Sequence, residues 1–188
     1  MSVDQSELKA PPFFLRAGAA ATDSAILFVL FYAAAEVCLA LAGGRDAIDS
    51  DPALMRTFLR TAGLVVTAIS AGYFTIMTGS DGQTFGKKLA VIKVVSTDGR
   101  RLGFGKAFAR WVGYQLCAGT LGLGFAMAAF TQYQRGLHDA LAGTRVVICG
   151  GITRWRKAAL SVFGIIALGA LCMAGVAMLA EIVRSFIS

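Results

Sequence analysis

The sequence predicts an all-α integral membrane protein with four hydrophobic helices and a basic amphipathic or hairpin segment between the second and third. Its 188 residues are 56% hydrophobic, and its mean hydropathy of +0.67 is above that of ordinary soluble domains. Three long runs carry no charge, at 61–80, 111–134 and 158–180, and a fourth apolar run occupies 16–35. Each is close to the roughly 20 residues with which an α-helix crosses a bilayer core.

The first run carries two charged residues, Arg16 at its start and Asp23 seven residues later. Seven residues of α-helix make about two turns and about 10 Å of rise, so both side chains lie on nearly the same face. An uncompensated carboxylate at that depth costs roughly 2.5–3.5 kcal/mol on membrane-insertion scales. We therefore expect basic or polar groups from elsewhere in the chain to reach Asp23.

The net charge of +7 is concentrated beside the hydrophobic runs. The segment 81–110 has seven basic residues against two acids, whereas the connection 43–52 is short and net acidic. Basic residues mark the cytoplasmic side of a membrane and attract anionic lipid headgroups. We expect 81–110 and the N-terminus inside, with the lipid bilayer and anionic headgroups as partners. Nucleic acid is not an expected partner, because these charges flank membrane runs instead of forming a soluble domain.

The basic segment has local signals for both strand and helix. Residues 88–95 are β-branched and partly alternating, and 97–99 form a turn signal, so a small hairpin with 101–104 is one prediction. A segment that lies on the membrane surface also fits. Aromatic residues then recur at helical spacing from Phe104 to Trp111, which predicts a helix at the interface.

The third run, 111–134, has two interpretations. A full span places the basic loop 135–157 outside, against the positive-inside rule. A re-entrant hairpin broken near 119–124 returns both ends to the cytoplasm, but its backbone needs protein or water around it. The length of the run favours one full-length hydrophobic helix, which we adopt while leaving its topology open.

The chain divides into a flexible N-terminal tail at 1–12, a membrane domain at 13–149 and a C-terminal transmembrane helix at 150–188. Pro11 and Pro12 discourage a helix that runs in from the tail. No convincing internal repeat is evident.

Signatures of catalysis, metal binding and cofactor binding are missing from the sequence. Its four cysteines have no Cys-x-x-Cys spacing and it has one histidine, so we expect no metal and no cofactor. The glycine-lysine run at 82–88 is one residue short of a Walker loop and lacks the hydroxyl residue after lysine. With no Gly-x-Ser-x-Gly or His-Glu-x-x-His motif, we expect no enzyme.

Polar residues form three patches in a set order along the chain. They are Arg16 and Asp23 in the first run, Gln83, Thr84, Gly86 and Lys87 after the second run, and His138, Asp139, Gly143 and Thr144 after the third. With these patches the chain resembles the RDD family of bacterial membrane proteins over 13–147, where Arg16, Asp23 and Asp139 match the arginine and two aspartates. Phe85 departs from the pattern, since the family often has proline there. The resemblance implies a small multi-pass protein of the bacterial inner membrane with a transport-related role, and a cation/proton antiporter role has been proposed for a relative.

Two interpretations of the patches remain open. In one, Asp23 alternates between a proton and a cation, Arg16 holds its ionised form, and Asp139 and His138 supply a second carboxylate and a proton shuttle. In the other, Arg16, Asp23 and Asp139 form an ion-pair network that positions the first helix against the two cytoplasmic patches. The corresponding functions are transport of ions or protons, and a non-catalytic helper or scaffold subunit of a larger membrane complex. Because four helices are few for a transporter, we expect a homo-oligomer or a membrane-complex partner.

Overall fold

The computed structural model describes residues 9–97, 101–120, 123–131 and 134–187, and most of the described chain is helical. Most of the tail predicted at 1–12 therefore lies outside the described residues, as do Asp98 and Gly99 of the predicted turn. The elements in chain order are α1 (Phe13–Leu41), α2 (Arg45–Ser50), α3 (Pro52–Asp81), α4 (Phe85–Leu89), β1 (Ile92–Ser96), α5 (Phe104–Gly119), α6 (Leu123–Phe130), α7 (Leu137–Leu141), β2 (Thr144–Ile148) and α8 (Arg154–Ile187).

Two helices, α1 and α3, are long and apolar enough to cross a membrane within the described ranges. Local chemistry explains where they begin and end. Pro12 precedes α1, and Asp51 caps α3 by accepting a hydrogen bond from the backbone N–H of Ala53 at 2.8 Å. Gly82 ends α3 in the left-handed region, with φ of +74°, which favours glycine. The connection between them contains the short helix α2.

The third hydrophobic run does not form the single full-length helix that we expected. Helix α5 ends at Gly119 and α6 begins at Leu123. A Cβ atom on Gly124 would collide with Cys117, so α6 folds back closely against α5. Glycine also lowers helix propensity by about 1 kcal/mol relative to alanine, which weakens a continuous helix through this stretch. As a result His138, which follows α6, lies against Gly113 in α5.

A two-stranded antiparallel sheet corrects both the all-α prediction and the predicted local hairpin. Strand β1 pairs with β2, with Ile92 opposite Ile148, and not with 101–104. One face of the sheet packs with Leu15 and Ala19 of α1. The distant pairing prevails because both strands have an apolar face that α1 can bury, and strand register follows the buried face.

The strands belong to a repeated unit, which corrects the statement that the chain has no internal repeat. In both units a five-residue helix precedes a five-residue strand, and the spacing between units is 52 residues for the helices (85 to 137) and the strands (92 to 144). Backbone with positive φ recurs at the same spacing, at 82 and 134 and again at 91 and 143. The sequence signal was Leu-Ala-x-x-(Lys/Arg)-Val-Val, which occurs at 89–95 and 141–147. We call 82–96 the first unit and 134–148 the second unit.

Small residues bring α1 close to its neighbours. A Cβ atom on Gly18 would collide with the backbone carbonyl of Leu160 in α8, and one on Gly86 would collide with the carbonyl of Ala19. Close backbone approach of this kind is typical of helices that associate in membranes. It places α4 and the start of α8 beside the N-terminal third of α1.

Candidate functional site

Asp23 lies on the inner face of α1 with 1% of its surface exposed. Its Oδ1 accepts hydrogen bonds from the Tyr73 hydroxyl at 2.7 Å and the Gly86 N–H at 2.8 Å. Its Oδ2 accepts from the Thr84 hydroxyl at 2.5 Å. The Lys87 ammonium stands 3.8 Å from Oδ2 and donates to the Thr84 hydroxyl at 3.1 Å. Neutral donors therefore satisfy this carboxylate directly, and the nearest positive charge stands beyond them.

The first unit reaches Asp23 because Gly86 has no side chain. Its backbone can approach the Ala19 carbonyl of α1, and the same approach aims its N–H at the carboxylate. Thr84 precedes the first residue of α4, so its hydroxyl projects from the helix start. Phe85, at the position where the resemblance predicts proline, stacks on Tyr73 with ring centroids 6.4 Å apart. The backbone N–H of Phe85 donates to the Tyr73 hydroxyl at 3.3 Å.

Asp139 is completely buried in α7 and is held by two guanidinium groups. Arg110 donates to Oδ1, and Arg16 Nη2 donates to Oδ2 at 2.6 Å. The backbone N–H of Gly136 and the Thr144 hydroxyl lie 3.4 and 3.3 Å from the carboxylate oxygens. Because charged donors make the strongest hydrogen bonds, this carboxylate joins α1, α5 and the second unit tightly.

The charge states of Asp139 and His138 follow from burial and from these neighbours. Burial by itself raises the pKa of the Asp139 carboxyl, but the attraction of Arg110 and Arg16 holds that pKa well below its usual range. Burial lowers the pKa of the His138 imidazole to about 3, although Asp139 opposes the change. Near neutral pH Asp139 is therefore ionised and His138 is neutral.

His138 packs among aromatic rings next to this ion pair. Its ring centroid lies 4.6 Å from that of Tyr114 and 5.3 Å from that of Phe125. Its Nδ1 lies 3.8 Å from the Cys117 sulfur, and its Nε2 lies 3.4 Å from Asp139. The imidazole thus fills the space between α5, α6 and α7 while presenting a polar edge to the carboxylate.

The remaining patch residues hold the turns between each short helix and its strand. Gln83 Nε2 donates to the Ile92 carbonyl at 2.9 Å, and at the corresponding place in the second unit Arg135 Nε donates to the Thr144 carbonyl at 3.1 Å. Gly143 has φ of +60°, which favours glycine. These contacts set the geometry of the units that carry Thr84, Gly86 and Asp139.

Arg16 and Asp23 do share a face of α1, but they do not bind each other. Arg16 pairs with Asp139 and also donates to the Gln134 carbonyl. Asp23 is held by the first unit, and its nearest cation is Lys87. The expectation that Arg16 holds Asp23 ionised is therefore corrected, because the two units separate the charges of α1 into two sites.

The sequence interpretation missed two residues of these sites. Arg110 is 2% exposed on the buried face of α5, in line with Ala107, Gly113 and Cys117. A lone arginine on a stripe of small residues at helical spacing was the available signal. Tyr73 lies inside an uncharged run, and nothing local marked its contact with Asp23.

Aromatic rings connect the two sites. The rings of Phe74 and Tyr114 meet edge to face, with centroids 5.2 Å apart. The Lys87 ammonium lies 5.9 Å from the Phe74 ring, and the Arg110 guanidinium lies 5.7 Å from the Tyr114 ring. The Phe74 and Tyr114 rings therefore lie between the cation of the first site and that of the second.

Arg16, Asp23 and Asp139 all fall within a stretch that matches a known protein family. The model described as the RDD family matches residues 10–143. The uncharacterized protein YxaI of Bacillus subtilis (strain 168) is 39% identical over 85 residues, which cover 45% of this chain and 56% of YxaI. The match thus spans about half the length of that relative. No solved structure matches the chain.

Proposed function

Since this chain belongs to the RDD family, we propose that it is a small multi-pass protein of the bacterial inner membrane that exchanges a proton or a cation at Asp23. Family membership and the two apolar helices α1 and α3 indicate a membrane protein. One observation carries the exchange proposal. Asp139 is clamped between two guanidinium groups, whereas Asp23 is held by neutral donors with an ammonium 3.8 Å away.

An exchanging carboxylate needs oxygen ligands nearby and a counter-charge that can withdraw. The hydroxyls of Thr84 and Tyr73 can turn their lone pairs toward a bound cation, while Asp23 supplies the negative charge. Lys87 is the tethered cation that neutralises Asp23 when nothing else does. Either a proton or a metal cation on Asp23 removes that need, so Lys87 is released when the site loads.

The proposed topology follows the distribution of basic residues. Both units lie on the cytoplasmic side, because the segment 81–110 and the loop 135–157 are strongly basic. Helices α5 and α6 then re-enter the membrane from that side, which agrees with the contact between Arg110 and Asp139. Helix α8 contributes a further membrane helix.

Ion flux in proteoliposomes tests the exchange. Under an imposed pH gradient with sodium or potassium present, the wild-type chain should exchange protons for one of these cations. Asp23→Asn should abolish flux while the protein still elutes as a folded species in detergent. Glu36→Gln is the matched control, because Glu36 is an exposed acid on the same helix. Wild-type vesicles without flux, or an equal loss in the control, would overturn the proposal.

A helper or scaffold role is the second candidate, and the exposure of the spans favours it. Within the apolar stretch of either α1 or α3, 6% of the residues are buried. Lipid covers such exposed apolar faces, and another copy of the chain or a larger membrane complex can cover part of them. A homo-oligomer in mild detergent, together with flux, supports transport. A monomer without flux in any ion gradient supports the helper role.

A further inference from the structure

An apolar groove lies between α4 and the first turns of α8, with a volume of about 340 Å³. Its walls are formed by Leu89, Trp155, Arg156, Ala159, Leu160 and Phe163. Arg156 is the one charged residue among them, and the Trp155 side chain is 73% exposed at the edge.

Two close contacts show where along α1 the groove lies. Gly86 of α4 meets α1 at Ala19 and donates to Asp23, and Leu160 of α8 meets α1 at Gly18. Both walls therefore flank the N-terminal third of an apolar helix that is long enough to cross a membrane. If α1 crosses a bilayer, a groove at this level lies near one of its surfaces and not at its centre.

Arg156 lines the groove, and two further basic residues lie near it at the start of α8. Arg154, Arg156 and Lys157 lie in the first turn of α8, and no acid occurs between 154 and 180. None of these three residues takes part in an ion pair within the part of the chain that the structure describes. On the α4 side, Lys88 is already paired with Asp81 at 3.2 Å. The surplus positive charge thus lies on the α8 side.

We propose that this groove binds one anionic phospholipid. An acyl chain lies against Leu89, Leu160 and Phe163, and the headgroup phosphate is held by Arg156, with Arg154 and Lys157 adding positive charge nearby. The charge of these basic residues selects an anionic headgroup over a zwitterionic one. Trp155 is suited to the boundary between chain and headgroup, where tryptophan is enriched in membrane proteins. This site is independent of ion exchange at Asp23.

Native mass spectrometry of the full chain tests the headgroup preference. Phosphatidylglycerol and phosphatidylcholine with the same acyl chains are titrated onto the detergent-solubilised protein. We expect phosphatidylglycerol to bind about tenfold more tightly or better, from the attraction of three basic residues. Equal affinity for the two lipids would overturn the proposal, and so would equal competition by free glycerol phosphate, which would indicate a soluble anion.

Two variants separate the basic residues from the groove. The triple variant R154Q/R156Q/K157Q should lower phosphatidylglycerol affinity to that of phosphatidylcholine. The matched control R45Q/R56Q/R60Q removes the same charge from exposed positions in α2 and α3 and should change nothing. Ala159→Trp fills the groove and should weaken both lipids alike. If R45Q/R56Q/R60Q loses as much phosphatidylglycerol affinity as R154Q/R156Q/K157Q, the lipid does not bind at this groove. Unchanged lipid binding by Ala159→Trp would lead to the same conclusion.

Discussion

The two helix–strand units present opposite charges to α1 at equivalent positions. Lys87 is the third residue of α4 and faces Asp23, while Asp139 is the third residue of α7 and faces Arg16. Helix α1 thus carries, about two turns apart, an acid for the first unit and a base for the second. Exchanging the units would bring like charges together in a buried place, so this arrangement determines which unit lies at which end of the contact.

The units also differ in how tightly they hold α1. In the second unit, two guanidinium groups surround one carboxylate, and removal of that carboxylate leaves both cations buried. In the first unit, hydroxyl and amide donors surround the carboxylate, and the ammonium stands 3.8 Å from its Oδ2. The comparison teaches that similar backbone geometry holds a carboxylate with charged donors in one place and with neutral donors in the other.

The largest expected effect comes from breaking the ion pairs of Asp139. Asp139→Asn leaves Arg16 and Arg110 without their shared counter-charge, which should cost about 3–5 kcal/mol of unfolding free energy. We expect the variant to accumulate poorly in the membrane or to melt far below the wild type in detergent. Asp49→Asn, at an exposed acid in α2, is the control and should melt normally. A near wild-type melting temperature for Asp139→Asn would show that the ion pairs of Asp139 with Arg16 and Arg110 do not stabilise the fold.

Crowding the first unit should have the next largest effect. Gly86→Ala sets a methyl group against the Ala19 carbonyl, and the backbone shift that follows should cost about 1–3 kcal/mol. Gly72→Ala in α3 is the matched control, because a Cβ atom there meets nothing within 4 Å. Thermal unfolding of both variants in detergent measures the difference. Equal stability of the two would show that close contact at Gly86 does not position α4.

Acidification should weaken the second unit through His138. Its pKa is lowered to about 3 in the folded protein, so the unfolded chain binds the proton first as pH falls below about 6.5. Stability should therefore fall by roughly 2 kcal/mol between pH 6.5 and 5. Asp139, whose pKa is held below its usual range, stays ionised throughout this window. Unfolding free energies at the two pH values are compared for the wild type and His138→Gln, which should lose this dependence. An equal fall in unfolding free energy for both proteins would show that groups other than His138 cause the pH dependence.

The smallest expected effect on stability comes from Asp23. Asp23→Asn keeps an oxygen that can accept from the Tyr73 hydroxyl and the Gly86 N–H, while the Thr84 hydroxyl must turn to accept from the new amide and the pairing with Lys87 at 3.8 Å is lost. We expect a cost of about 1 kcal/mol, well below that of Asp139→Asn. Melting temperatures of the two variants, recorded side by side, check the order. A larger loss in Asp23→Asn would reverse the roles that we assign to the two carboxylates.

Much of the local structure could be predicted because its causes are local. Uncharged runs and the residues at their ends identify α1 and α3, and the position of Arg16, Asp23 and Asp139 beside apolar runs identifies the charged residues that need partners. The repeat was also present in the sequence, at 89–95 and 141–147, but its two copies share few residues. Its significance became visible only with the matching backbone geometry.

The sequence by itself determined the apolar helices, the basic segments and the buried charges, since hydropathy and helical spacing act within one element. Only the tertiary structure decided that Arg16 binds Asp139 and that Lys87, not Arg16, stands near Asp23. It also decided that β1 pairs with β2 and that Arg110 joins the buried ion pair. Spacing within a helix shows that a charge needs a partner. Which residue pairs with that charge depends on how elements that are distant in the chain pack together.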